Sequence, residues 1–222
     1  MNVTNCDFFI FSLFIFPILF SLVTLVESES SEDVFVKPPK LLLISFDGFR
    51  WDYLQNAHKL GYKTPNFDSL IVNGTTVAPG GVKNSFPTKT FPNHYTMVTG
   101  MYPGNHGVVH NNYYDPDYGE FNFSLTSPIW WNNGTSEDGG DQSSVPMPIW
   151  IANQLTETNK TQQYARRSGV MMWPGCEAEL YSEMPFMHQP YDDNVTFESR
   201  VDKVVEWFVD ETTPVNFAAL YY

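Results

Sequence analysis

The stretch LLLISFDG, residues Leu41–Gly48, decides the fold of this 222-residue chain. Its first six residues form an apolar run without the alternation of a half-exposed strand. Such a run is typical of a central strand in a parallel sheet that helices cover on both faces. It ends at Asp47-Gly48, a dipeptide that favours a turn. We therefore predict a central strand over 41–46, with Asp47 just beyond its carboxyl end.

Helical and strand patterns alternate through the rest of the chain. Helix-like spacing and caps predict helices at 51–61, 64–75, 92–98, 148–158 and 197–210, while apolar runs predict strands at 166–175 and 216–222. Residues 113–150 are rich in Asn, Gly, Ser and Pro and are expected to be a long loop region. This order predicts an α/β fold with a doubly wound, mostly parallel sheet. Ligands of such folds bind beyond the carboxyl ends of the strands.

Asp47 is the first candidate for chemistry, because it follows a buried strand directly. A carboxylate there is costly unless it is paired or binds a metal ion. An aspartate that caps the following helix is an equally common explanation in α/β loops. This position alone leaves the two interpretations open.

Thr90 is the second candidate and lies in the segment SFPTKTFPNHYTMVTG, Ser85–Gly100. Pro92 suits the first turn of a helix, which places Thr90 or Phe91 at its N-cap. A threonine at a helix start is in most proteins only a cap, but the N–H groups there also favour anions such as phosphate. A metal ion held by Asp47 would lower the pKa of the Thr90 hydroxyl and make it a nucleophile. We interpret His94, four residues later, as a structural histidine that forms hydrogen bonds near this site.

The N-terminus carries a second kind of signal. Residues 1–30 contain the apolar run FFIFSLFIFPILFSLVTLV followed by a small, acidic segment, which indicates a secretory signal peptide, with an uncleaved signal anchor as the alternative. The chain also contains N-x-S/T sequons, which together favour a glycosylated extracellular surface. The sequons lie at Asn73, Asn122, Asn133, Asn159 and Asn194.

The formal charge of −13 argues against nucleic-acid binding, which requires a basic surface. It does not exclude a small phosphate ester, because one metal ion reverses the sign of a local site. Cys6 lies in the signal segment, so Cys176 is left either as a buried thiol or with a partner outside the chain.

Several motifs occur in an order that resembles one family. They are LLISFDGFRWDYL, PTKTFPNHYTMVTGMYPGNHGVV, NNYYDP, PIWIANQ and MMWPG. Together they resemble the ecto-nucleotide pyrophosphatase/phosphodiesterases of the alkaline phosphatase superfamily, over Lys40–Tyr222. The resemblance implies an alkaline phosphatase-like sheet, incomplete at the C-terminus, in which residues 40–222 are the N-terminal part of the catalytic domain. Zinc ligands of a motif E-P-D-x-x-G-H would then follow Tyr222. A C-terminal membrane anchor could also follow, or the protein could be fully secreted.

The resemblance also implies a two-zinc site with named roles. Asp47 would bind zinc, and Thr90 would be both zinc ligand and nucleophile. Asn111 would donate a hydrogen bond to a phosphate oxygen. The remaining matched positions are those of a substrate pocket, in which two aromatic rings flank the nucleobase: Phe91 and Tyr191 for the rings, with Lys89 and Trp173 beside them.

The function implied is hydrolysis of phosphodiester or pyrophosphate bonds in an extracellular nucleotide or dinucleotide. Two alternatives remain from the sequence. Some relatives cleave choline phospholipids, although two flanking aromatic rings favour a flat base. The chain could also be an inactive secreted fragment or binding protein, because only Asp47 and Thr90 of about six expected protein ligands are present. The transcript downstream of the Tyr222 codon would distinguish a fragment from a complete chain.

Overall fold

A computed structural model describes residues 37–77, 80–117, 119–122, 126–131, 146–157, 160 and 162–222. Within it, Pro38–Tyr222 forms a compact unit. Its strands are β1 Leu41–Ser45, β2 Asn112–Asp115, β3 Gly119–Asn122, β4 Ser168–Met171, β5 Met187–Gln189 and β6 Phe217–Tyr221. Its helices are α1 Tyr53–Lys59, α2 Pro65–Asn73, α3 Thr90–Thr99, α4 Pro103–His106, α5 Pro128–Trp131, α6 Ile149–Leu155 and α7 Phe197–Val209. The predicted signal peptide, 1–30, lies outside the described residues.

The main sheet has four strands in the order β1-β6-β4-β5, all paired in parallel. Alternate residues of the inner strands β4 and β6 contribute to two apolar clusters. Val170 and Ala219 pack in the cluster with Tyr95 of α3 and Ile151 of α6. Their neighbours along the strands pack in a second cluster with Val204 and Trp207 of α7. Helices therefore cover both faces of a parallel sheet, which confirms the predicted doubly wound α/β fold.

The position of β1 differs from the prediction. Among the described strands it pairs with β6 alone and lies at one end of the four-stranded sheet, whereas we predict a central strand buried on both faces. Leu41, Leu42 and Ile44 are each more than two-fifths exposed. The apolar run correctly predicted a strand, but apolar composition does not determine how many other strands pair with it. Neither α1 nor α2 contains a buried residue in the described structure.

The region expected to be a long loop, 113–150, contains regular structure. β2 and β3 form an antiparallel hairpin, and α5 follows it. Trp130 and Trp131 of α5 are fully buried in the cluster that holds Tyr95. In the described part of this segment, Pro116 and Asp117 form the turn after β2, while Trp130 and Trp131 anchor α5 to the core. A composition rich in turn-forming residues predicted a loop, and it gave no indication that these two tryptophans are buried.

His106 fixes α3, the helix that begins at Thr90, against α4. Its ring is fully buried, and Nδ1 accepts a hydrogen bond from the N–H of Val108 at 3.1 Å. The proton therefore resides on Nε2, which donates to the carbonyl of Pro92 at 3.2 Å and to the hydroxyl of Thr96 at 3.0 Å. Burial lowers the pKa of His106 from 6.5 to about 4. The neutral ring is thus part of the folded structure at neutral pH.

Among the described residues, no helix combines the length and apolar character needed to cross a bilayer.

Gly169→Ala should destabilise the fold by steric overlap. A Cβ at Gly169 would lie 2.6 Å from Cε3 of Trp207, whose ring is buried between α7 and the sheet. Overpacking of this kind costs about 1–3 kcal/mol, measurable by denaturant unfolding. Gly104→Ala is the matched control, because its Cβ would have no neighbour within 4 Å. Equal stability of the two variants would show that α7 does not require this close approach.

His106 should make stability depend on pH. The unfolded chain binds a proton near pH 6.5 while the folded chain resists it down to about pH 4, so the free energy of unfolding falls as pH falls through this window. The loss should be on the order of 2 kcal/mol. Unfolding curves between pH 4 and 7 should show a weaker slope for His106→Gln and an unchanged slope for His188→Gln, whose side chain is exposed. An unchanged slope in His106→Gln would contradict the assignment.

Candidate active site

Asp47 and Thr90, 43 residues apart in sequence, lie side by side at the carboxyl edge of the sheet. The N–H of Asp47 donates to the carbonyl of Tyr222 at 2.7 Å, which extends the pairing of β1 and β6 beyond the strands. Thr90 is the first residue of α3, and its hydroxyl donates to Oδ2 of Asp47 at 3.2 Å. The two residues that the sequence singled out therefore form one polar centre.

α3 begins two residues before the predicted start at residue 92, and its N-cap lies one residue before Thr90, the nearer of the two predicted N-caps. Lys89 is the N-cap, with extended backbone, and Thr90 is inside the first turn. Asn93 holds the incoming chain: its Nδ2 donates to the carbonyls of Pro87 and Lys89, each at 2.9 Å. Its Oδ1 accepts from the N–H and the hydroxyl of Ser85. Sequence reasoning missed this role, although an asparagine directly after Pro92, near a helix start, was a visible signal for it.

His94 connects the two elements that carry Asp47 and Thr90. Nδ1 donates to the carbonyl of Thr90 at 2.7 Å, and Nε2 accepts from the hydroxyl of Ser45 at 2.9 Å. The ring packs edge-on against Trp173 and Tyr221. Burial lowers the pKa of His94, which favours the neutral ring that these hydrogen bonds require. These contacts agree with our interpretation of His94 as a structural residue beside the site.

Tyr221 is a site residue that sequence reasoning missed. Its hydroxyl donates to Oδ2 of Asp47 at 2.8 Å, the same oxygen that Thr90 contacts. Burial, with the hydrogen bond to Asp47, raises the pKa of Tyr221, so the phenol keeps its proton and remains a donor. The contact follows from the strand pairing, in which Ser45 and Tyr221 are partners, so the sequence carried no signal for it.

Asn111 contacts the start of α3, where the N–H groups were expected to face an anion. In this structure the N–H of Phe91 instead donates to Oδ1 of Asn111 at 3.0 Å. This hydrogen bond assigns the amide oxygen to Phe91, which leaves the two Nδ2 protons of Asn111 to donate. The helix N-terminus adds a partial positive charge at the same place.

A cavity of about 430 Å³ opens beside this polar centre. Five predicted residues line it together, which are Thr90, Phe91, Asn111, Trp173 and Tyr191. The lining residues that the sequence did not single out are Met172, Pro174, Gly175, Cys176, Glu177 and Tyr221. Lys89, which was expected in the pocket, is exposed and lies outside this lining. The structure thus gathers residues from five separate segments around one cavity, and four of the lining residues are aromatic.

The donor set at the polar centre fits a metal ion only in part. A carboxylate and a hydroxyl provide oxygen ligands of the kind that zinc accepts, and zinc usually has four ligands. Within the described ranges, no group of three or more His, Cys, Asp or Glu side chains could hold a metal ion. Asp47 and Thr90 can therefore supply part of a coordination sphere.

Two of the five sequon asparagines, Asn73 and Asn194, are exposed. Asn122 lies in β3, while Asn133 and Asn159 lie outside the described residues. Cys176 is a free, buried thiol, and burial raises its pKa.

Comparison with known proteins places this geometry in a family. The model of the type I phosphodiesterase/nucleotide pyrophosphatase family matches residues 41–222. The chain is 39% identical over 209 residues to the bis(5'-adenosyl)-triphosphatase ENPP4 of Homo sapiens, covering 92% of this chain and 40% of that protein. It is 37% identical to the human ectonucleotide pyrophosphatase/phosphodiesterase family member 5 over 187 residues, 82% of this chain and 33% of that one.

A solved structure agrees with these relatives. Murine ectonucleotide pyrophosphatase/phosphodiesterase 5, inactive through a threonine-to-alanine substitution and in complex with AMP, matches with a TM-score of 0.66 at 35% identity. The match covers 83% of this chain and 43% of that one. The chain thus spans about two-fifths of the length of the relatives it matches. With its parallel sheet and the family match over nearly all of the compact unit, it belongs to the type I phosphodiesterase/nucleotide pyrophosphatase family.

Proposed function

We propose that the protein hydrolyses phosphodiester or pyrophosphate bonds in extracellular nucleotides, with Thr90 as the nucleophile. The observation that carries the proposal is the Thr90 hydroxyl at the N-terminus of α3, hydrogen-bonded to Asp47 and open to the cavity. Two relatives support it. One is named a bis(5'-adenosyl)-triphosphatase, and a structural neighbour that holds AMP is described as inactive when a threonine is replaced by alanine.

The reaction requires one nucleophile and donors for the phosphate oxygens. The Thr90 hydroxyl gives up its proton to solvent as Oγ1 attacks phosphorus. The bond from phosphorus to the leaving oxygen breaks, its electron pair stays on that oxygen, and the nucleotidyl group remains on Thr90. Water then attacks phosphorus and loses a proton, the bond between phosphorus and Oγ1 breaks, and Oγ1 takes up a proton, which restores Thr90. Asp47 accepts the hydrogen bond of the Thr90 hydroxyl before attack. Asn111 donates through Nδ2 to a phosphate oxygen where negative charge increases, as preorganised donors do at other oxyanion sites.

Two zinc ions are the cofactors that we propose, with Asp47 and Thr90 as oxygen ligands from this chain. Zinc bound by these oxygens would lower the pKa of the Thr90 hydroxyl and stabilise negative charge on the phosphate. The other residues keep the pair in place. Tyr221 donates to Oδ2 of Asp47, and His94 links the Thr90 backbone to β1.

The substrate we favour is a nucleotide or dinucleotide. Phe91, Trp173 and Tyr191 line the cavity, and the half-exposed Tyr191 offers a ring on which a flat base can stack. Phe91 is held rigid by Trp130 and Trp131, with ring centroids at 6.3 and 5.7 Å. Such a wall suits a planar ligand better than the flexible chain of a choline phospholipid. Lys89 lies outside the cavity lining, so the contact that we propose for it is with a substrate phosphate that extends out of the cavity.

The place of action that we propose is the cell exterior or the cell surface. The predicted signal peptide and the exposed sequons at Asn73 and Asn194 agree with passage through the secretory pathway. Two relatives are named ectonucleotide enzymes, one from Bos taurus and one from Rattus norvegicus.

Thr90→Ala should abolish nucleotide hydrolysis in the full-length protein, because it removes the attacking oxygen. Hydrolysis of bis(5'-adenosyl) triphosphate and of lysophosphatidylcholine would be measured side by side. Thr90→Ser is the matched control, since it keeps the hydroxyl and should retain activity within about tenfold. Undiminished turnover by Thr90→Ala would sink the nucleophile assignment, and preferential cleavage of the lipid would replace the nucleotide by a phospholipid substrate.

Asn111→Ala should lower kcat by about 10²–10³-fold, as removal of one preorganised donor does elsewhere. Asn111→Asp keeps an acceptor for the Phe91 N–H but loses the Nδ2 donor, so we expect at least as large a loss. Asn112→Ala is the control, because this neighbouring side chain is exposed and lies outside the cavity lining. Similar rates for Asn111→Ala and Asn112→Ala would exclude the proposed role of Asn111.

A further inference from the structure

Arg200 of α7 is a buried cation, only 4% exposed. Its guanidinium donates three hydrogen bonds, all to backbone carbonyls. Nε donates to Val195 at 3.0 Å, one Nη to Tyr221 at 2.9 Å and the other Nη to Asp192 at 3.3 Å. Burial of a cation is unfavourable unless its N–H groups are satisfied in this way. Arg200 is therefore not one of the exposed charged residues that keep a helix surface soluble, and its burial requires a separate explanation.

The three carbonyls belong to two structures that border the cavity. Asp192 and Val195 lie in the segment 190–196, which connects β5 to α7 and carries Tyr191. Tyr221 ends β6, and its hydroxyl contacts Asp47. Arg200 thus connects the segment of one cavity-lining tyrosine to the strand of another. The guanidinium carbon also lies 6.0 Å from the centroid of the Tyr191 ring and 5.1 Å from that of Tyr222.

Attachment of α7 to the sheet does not explain this arginine. The helix already packs through Val204 and Trp207, which are buried in an apolar cluster against β4 and β6. An apolar residue at 200 would add to that contact without a buried charge. A planar guanidinium has five donors in a fixed fork and can reach three acceptors at once, which the single ammonium of lysine does less well. The residue type fits the task of fixing several backbone points relative to each other.

Among the cavity-lining residues, Tyr191 is the one whose position depends most on the hydrogen bonds of Arg200. Its ring is 51% exposed, and it is reached by the guanidinium and by Tyr221, whose ring centroid lies 6.3 Å away. An exposed ring on an irregular segment samples several positions, and each ligand that stacks on it must first immobilise it. A fixed segment reduces that entropic cost.

We propose that Arg200 is a positioning residue that holds Tyr191 against the end of β6 and thereby sets the preference of the site for ligands with a flat base. It acts through Tyr191, since Arg200 is not among the residues that line the cavity. The inference rests on the proposed function, in which Tyr191 stacks on a nucleobase.

The test compares two probes in the full-length protein, AMP and ribose 5-phosphate, which lacks the base. Arg200→Met should weaken AMP binding about tenfold, the size of one lost base–aromatic stacking contact, and change ribose 5-phosphate binding less than about twofold. In a Tyr191→Ala background, Arg200→Met should have little further effect on AMP, because both changes remove one interaction. Arg200→Lys serves where the Met variant fails to fold, and should also lose most of the AMP preference.

Lys203→Met is the matched control, since Lys203 is an exposed cation on the same helix, paired with Glu206. It should leave both affinities unchanged. If the parent protein prefers AMP and the Arg200 variants keep that preference, or if the effects of Arg200 and Tyr191 simply add, Arg200 is only a structural residue. If the parent protein binds AMP no better than ribose 5-phosphate, the base-binding function itself is wrong, and the inference is overturned with it.

Discussion

The parallel pairing of β1 with β6 is the constraint on which the site depends. It places Ser45 beside Tyr221, so that Asp47, two residues beyond Ser45, meets the Tyr221 hydroxyl. His94 then joins Ser45 to the backbone of Thr90, which sets the start of α3 against the same edge. A shift of the pairing by one residue would turn these side chains to the other face of the sheet.

Much of the fold followed from the sequence because its patterns were local. The apolar runs identified β1, β4 and β6, and the helix that begins after Thr196 was placed almost to the residue, since its apolar stripe and N-cap are both explicit. Thr64 and Pro65 likewise marked the start of α2. The strand order was beyond such reasoning. Whether β1 is central or at an edge depends on pairing between segments that are distant in sequence. An apolar run predicts that a strand is buried, but it does not identify the strand with which it pairs.

The site was predictable to the extent that its residues carry distinctive chemistry. Asp47 and Thr90 stood out because a carboxylate after a strand and a hydroxyl at a helix start each require an explanation, and the structure places them in contact. Tyr221 and Arg200 gave no such signal, because a tyrosine in an apolar strand and an arginine in a helix are ordinary in sequence. Their importance comes from what the fold brings next to them. The contact between Phe91 N–H and Asn111 was also hidden, since it depends on how an amide is turned.

The strand order also has a consequence for how the molecule is assembled. β6 is the last of the described strands to be synthesised, yet it lies between β1 and β4 in the sheet. Until β6 is synthesised, β1 and β4 have no common neighbour. β1 can pair with β6 only after two segments about 176 residues apart in sequence, Ser45 and Tyr221, have come together. The nascent chain therefore cannot bring Asp47 and Tyr221 together early. Asp47 and Tyr221 come into contact only when β6 joins the sheet, so a polypeptide that stops short of β6 would lack both this contact and the pairing of β1.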